Sequence, residues 1–161
     1  MKPELINVLA LAYLGDSVFE VYVREYLLVE KGIMKPDLLQ QASKSFVSAK
    51  AQAAFMQEAI LKQWLGEEEI SIYKRGRNAK SRHVPKNTSV FIYNQSTGFE
   101  ALIGHLYLLK KQERITEIFE LFKLFVCENE KNMRKIWDAW SEKYDTIYLW
   151  KKHSYRIFKG K

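Results

Sequence analysis

The chain of 161 residues carries a single cysteine, Cys127. An internal disulfide is therefore impossible, and a small secreted scaffold held by staples is excluded; a reducing, cytoplasmic setting is the expectation. Only three prolines and seven glycines interrupt it, and no stretch sustains the period-two alternation of half-buried strands. No apolar run reaches the roughly 20 residues that span a bilayer, so no membrane partner is expected. Lys2 followed by Val8–Ala12 has the outline of a secretion signal, but Glu4 interrupts it and the helical pattern runs on past Asp16, so none is expected there. A glycine loop of the nucleotide-binding type is missing. His83, His105, His153 and Cys127 lack zinc spacing, and no Ser/His/Asp set stands out.

The composition is globular, 47% hydrophobic and 28% charged, and the chain is long enough to bury a core in one domain with an appended element. The net charge of +7 is uneven. Residues 74–88 hold six cations and no acid, residues 123–161 carry +5, and the remainder carries −4. Cations clustered on a mildly acidic body suit a polyanion, most commonly nucleic acid.

The periodicity predicts an all-α chain. A long helix over residues 4–31 is apolar almost all round, which implies burial, and Gly32 is its expected stop. Pro36 opens a second helix to about Phe46. Ser48 caps a third, from Ala49 to about Leu65, ended by Gly66. Glu67, Glu68 and Glu69 then start a fourth, where the macrodipole favours acids, and it runs to about Asn78. Residues 79–87 read as a loop, and Thr88 can cap the next segment. A second strongly apolar helix covers about Gln95–Lys110, and an amphipathic one starts at Glu113. Composition shifts near Phe122. Beyond it Met133, Ile136, Trp137, Trp140, Tyr144, Ile147 and Tyr148 recur at helical spacing. The expected division is a domain over 1–122 and a basic, Trp-rich, partly helical extension over 123–161.

Two acids sit where oily residues are expected. Asp16 interrupts Leu11-Ala12-Tyr13-Leu14-Gly15-Asp16-Ser17-Val18-Phe19, and Glu100 interrupts Phe99-Glu100-Ala101-Leu102-Ile103-Gly104. A carboxylate in such a helix is costly unless something pairs with it. Asp16 taken alone is explained by a solvated stripe continued by Glu20 and Arg24, whose four-residue spacing allows an ion pair. Glu100 taken alone is explained by a structural hydrogen bond. Taken together, two such acids on two core helices can converge, and converging carboxylates repel unless a cation lies between them; hard oxygen donors suit Mg²⁺. Gly15 and Gly104 beside them imply close helix approach, at a site or at a plain crossing. In the basic segment, Lys74, Arg75, Arg77, Lys80, Arg82 and Lys86 can neutralise phosphates, and Asn78, Ser81 and Asn87 can reach 2′-hydroxyls. The interleaved aromatics of a single-strand stacking platform are missing there, which favours duplex. A solvated flexible loop is the ordinary reading of such a charge run.

Leu11–Phe19 resembles the ribonuclease III signature, and Phe99–Gly104 resembles that domain's second acidic motif. Lys74–Ser81, Pro85–Thr88 and Val47–Ala53 resemble Mini-ribonuclease III more specifically. The resemblance covers about residues 5–122. It implies the ribonuclease III endonuclease-domain helical fold without a separate double-stranded-RNA-binding domain, and a homodimer with a catalytic valley across its interface. It also implies Mg²⁺-dependent cleavage of double-stranded RNA in maturation of the 23S ribosomal RNA precursor, with a large-subunit ribosomal protein as a possible partner. Asp16 and Glu100 match the family's essential acids and metal ligands, and Tyr13 falls at an aromatic dimer contact. Two departures stand out: ribonuclease III proper has further acids where this chain has Ala12 and Thr97. They are the best support for a different class of function, a non-catalytic RNA- or ribosome-binding module on a degenerate nuclease fold. A helical protein–protein adaptor using the Trp-rich tail is the third reading.

Overall fold

A computed structural model describes residues 3–79 and 89–143, the side chains of Glu4 and of residues 133–143 excepted. Among the described residues there are six α-helices and no strand: α1 Val8–Glu25, α2 Pro36–Val47, α3 Ala49–Leu61, α4 Glu67–Arg77, α5 Val90–Leu108 and α6 Gln112–Lys143. None of them is long and apolar enough to cross a membrane. The chain divides into two compact units, residues 1–123 and 124–161, and the helical core built around α5 belongs to the first.

Local chemistry sets most of the boundaries. The Asn7 carboxamide accepts from the Leu9 amide at 2.9 Å and starts α1. The expected single helix over 4–31 is instead a 3₁₀ turn at Pro3–Leu5, then α1, then a π-helical turn at Tyr26–Glu30. Gly32 ends it at φ +63°, as its position implied. Pro36 stands in the first turn of α2, where its missing N–H costs nothing. Ser48 accepts from the Ala51 amide and starts α3.

The end of α3 differs from expectation. It stops at Leu61, four residues early, because Gln63 takes the left-handed conformation at φ 55°. Its amide donates to Ile60 and the next amide, of Trp64, donates back to Ala59 at 2.9 Å. That pair of bonds is the Schellman arrangement, normally built on glycine. Gly66 instead precedes α4, and the Glu69 carboxylate accepts from its amide at 2.9 Å. The second apolar helix begins five residues before the expected Gln95, at Val90, with the Ser89 hydroxyl accepting from the Ile92 amide. Thr88, the expected cap, lies outside the described residues. Lys110, at φ 62°, closes α5 through a second Schellman pair. The composition shift near Phe122 marks no helix end, since α6 continues to Lys143.

Five phenylalanines from five helices meet at the centre. Phe19 of α1 stands 4.9 Å edge-on from Phe99 of α5 and 5.0 Å from Phe122 of α6. Phe55 of α3 and Phe46 of α2 close on Phe122 at 4.6 and 6.2 Å. Such ring pairs add to the burial of area already large for each side chain. Arg114 of α6 binds the turn before α4, donating to the Trp64 carbonyl at 2.7 Å and to both oxygens of Glu69. Burial works against the charge of Glu69, but Arg114 and the Gly66 amide hold its carboxyl below the usual range.

Candidate active site

α5 is the hub. From Gln95 to Leu106 every residue is buried except Glu100, which is partly open. Two glycine crossings press neighbouring helices onto it. A Cβ on Gly15 of α1 would lie 1.8 Å from the Glu100 carbonyl oxygen, and one on Gly104 would lie 2.0 Å from the Leu11 carbonyl oxygen. The backbones of α1 and α5 therefore touch where only hydrogens separate them. On the other side, a Cβ on Gly76 of α4 would lie 2.9 Å from Ala101 Cβ and 3.0 Å from the Thr97 carbonyl oxygen.

The first crossing brings the two sequence-selected acids into one electrostatic neighbourhood. Asp16 follows Gly15, and Glu100 precedes Gly104 by one turn. Burial pushes the Glu100 carboxyl up to about 8, and the negative charge of Asp16 adds to it. Asp16 is raised by partial burial and then by Glu20. Asp16 thus gives up its proton first, and Glu100 must ionise against that charge. Among the described residues no cation forms an ion pair with either carboxylate. Glu20 is paired with Arg24, the arrangement its spacing allowed. Glu100 Oε1 receives one hydrogen bond, at 3.4 Å, from Ser96 Oγ.

The second crossing places the basic last turn of α4 against the part of α5 that bears Glu100. Lys74 and Asn78 are exposed there. Arg77 donates to the Asn78 carboxamide at 3.2 Å and lies 5.8 Å over the Tyr73 ring. Arg75 donates to the Ile6 carbonyl, tying α4 to the segment that leads into α1. Lys80, Ser81, Arg82, Lys86 and Asn87 lie outside the described residues. Tyr13 is 83% exposed on α1. His105 is buried, with Nε2 3.2 Å from Glu68 Oε1, a packed and bonded histidine.

The ribonuclease III domain family matches residues 9–111. A Mini-ribonuclease 3 of Enterococcus faecalis is 49% identical over 113 residues, 70% of this chain and 85% of the relative. One of Staphylococcus aureus is 45% identical over 128 residues, 80% and 93% of the two chains. The chain belongs to the Mini-ribonuclease 3 family, within the ribonuclease III superfamily. It is an endoribonuclease with that family's all-helical fold. A Fusobacterium nucleatum protein solved by X-ray crystallography superposes with a TM-score of 0.65 at 33% identity, covering 78% of this chain and 95% of that one.

In this member of the family the absent acids have a structural counterpart. Ala12 is buried, and buried Thr97 turns its hydroxyl back to the Tyr93 carbonyl at 3.0 Å. Neither position supplies a carboxylate. Among the described residues no group of three or more His, Cys, Asp or Glu could hold an ion. Asp16 and Glu100 would be the two carboxylate donors of such a site, and a divalent cation held there would complete its shell with water and substrate oxygen. Mg²⁺, which keeps several waters when protein-bound, fits such a set. The upward push on Glu100 from burial and from the Asp16 charge is a second reason for the fit, since a divalent cation would relieve both. Ser96 is not legible as a site residue in the sequence; its only signal there is a small polar residue one turn before Glu100 in an apolar helix.

Proposed function

We propose that this endoribonuclease cuts double-stranded RNA with Mg²⁺, Asp16 and Glu100 being the catalytic acids and metal ligands. The observation that carries the reading is the Asp16–Glu100 neighbourhood at the Gly15–Gly104 crossing, two carboxyl groups with no cationic side chain paired to either among the described residues. Bound there, Mg²⁺ would supply an activated water and neutralise charge on the phosphate and the leaving oxygen. Asp16, which ionises first, gives the site its standing negative charge. Glu100, partly open in an otherwise buried run, supplies the second oxygen donor from a helix pressed against α1 and α4 at glycine crossings. No side-chain nucleophile is required.

Lys74, Arg75, Arg77, Asn78, Lys80, Ser81, Arg82, Lys86 and Asn87 form the proposed RNA grip. Its support is the charge of residues 74–88 and the contact of α4 with α5 beside Glu100. A two-fold homodimer would match the approximate dyad of duplex RNA, one strand per protomer, with exposed Tyr13 at its contact. The substrate we propose is the 23S ribosomal RNA precursor, met in the cytoplasm, with a large-subunit ribosomal protein as helper.

The test is cleavage of a duplex RNA in Mg²⁺ and in chelator, with Asp16→Asn as control. The expected result is cutting in Mg²⁺ alone, and an Asp16→Asn variant that binds the duplex without cutting it. The lack of acids at positions 12 and 97 favours a second reading, a non-catalytic RNA- or ribosome-binding module. Metal-independent binding with no cleavage by the wild type would establish that alternative.

A further inference from the structure

Ser96 lies on α5 one turn before Glu100 and is 4% exposed. A serine or threonine inside a helix ordinarily turns its hydroxyl back to the carbonyl four residues earlier. The adjacent Thr97 does this, to Tyr93. Ser96 instead donates forward, to Glu100 Oε1 at 3.4 Å. Among the described residues it is the one hydrogen bond to that carboxylate. Backbone amides cannot take its place, because the α5 ladder already occupies them. A glutamate side chain has three rotatable bonds, and fixing it when an ion binds costs the rotamer freedom they carry. A donor that occupies one oxygen beforehand reduces that cost and leaves the other oxygen for a cation.

We propose that Ser96 is a positioning residue for the metal site: its hydroxyl holds one oxygen of Glu100 so that the carboxylate meets a divalent ion already oriented. The inference rests on the metal reading of Asp16 and Glu100. Ser96 touches neither ion nor RNA. The role falls to a position on α5 that the missing acids at 12 and 97 make more important, since two carboxylates alone must hold the ion.

The experiment measures Mn²⁺ binding to the full chain by electron paramagnetic resonance, with Mn²⁺ standing for Mg²⁺. It compares wild type, Ser96→Ala, Ser96→Thr and Asp16→Asn, alongside duplex affinity in chelator and melting temperature. Ser96→Ala should weaken Mn²⁺ binding about three- to tenfold, the modest value reflecting a long hydrogen bond. Ser96→Thr, which keeps the hydroxyl, should stay near wild type. Duplex affinity in chelator should not move, and Ser96→Ala should melt within a few degrees of the wild type, because the hydrogen bond it loses is long and the substitution adds no atom to the core. Wild-type Mn²⁺ affinity in Ser96→Ala, with binding lost in Asp16→Asn, overturns the role of Ser96 and leaves the metal site standing. Unchanged binding in Asp16→Asn overturns the metal site and this inference with it.

Discussion

Glu100 is an acid held under strong electrostatic tension, by burial and by the charge of Asp16. Its carboxyl ordinarily ionises near 4.5 and here near 8. Between those values the folded, metal-free protein holds a proton that the unfolded chain has released. The associated stability is therefore full below about pH 4.5 and is lost as pH rises through 8. Glu100→Gln has no proton to lose. Its melting temperature without metal should match wild type near pH 5 and exceed it by about 5 °C or more at pH 8.5. A difference that does not vary with pH would show that Glu100 is not the group responsible. At this scale the sequence was informative, because an acid among large apolar residues is conspicuous. Ser96 was not, because a small hydroxyl in a helix says nothing about which way it points.

The helices themselves are held by contacts that tolerate no side chain. Ala is favoured over Gly in a helix interior by about 1 kcal/mol, so Gly104→Ala would stabilise an isolated α5. In the protein the new Cβ would stand 2.0 Å from the Leu11 carbonyl oxygen. Overpacking of that kind costs about 3 kcal/mol or more and outweighs the propensity gain. We expect Gly104→Ala to lower the melting temperature by about 6 °C or more and to reduce metal binding along with it, since α1 and α5 must separate. The α3 terminus offers the opposite case. Gln63 sits at φ 55°, a conformation that costs an L residue about 1 kcal/mol. Gln63→Gly should raise stability by about 0.5 kcal/mol after the entropy of glycine in the unfolded chain is set against it, measurable by urea denaturation. The same residue explains the misplaced helix end. Glycine was the visible stop signal, and a glutamine in the left-handed region leaves no mark in the sequence.

For the whole molecule the controlling quantity is where charge lies. The cations of residues 74–88 and 123–161 sit on a body whose remainder is net negative. Duplex RNA affinity should therefore fall at least about tenfold between 50 and 200 mM salt, as phosphate contacts require. Neutralising Lys74 should reduce the slope of log affinity against log salt by about one unit, without changing the metal requirement. Salt-independent RNA affinity would point to the adaptor reading. The continuity of α6 through Phe122 also belongs at this scale. A change in composition signals a change of surroundings, and a helix can pass from one surrounding to another without breaking.

Composition and periodicity alone determined that this chain is helical, that it carries a basic segment, and that two acids lie among oily residues. Those properties are written along one dimension, as spacing and residue type. Whether the acids come within electrostatic reach of each other was decided only in three dimensions, by glycines 15 and 104 letting two backbones touch. That contact joins residues some ninety positions apart, and no local pattern encodes which distant glycine will face another. The same holds for Thr97 turning away and Ser96 turning toward Glu100: the residues were legible, and their directions depended on the neighbours that folding brought.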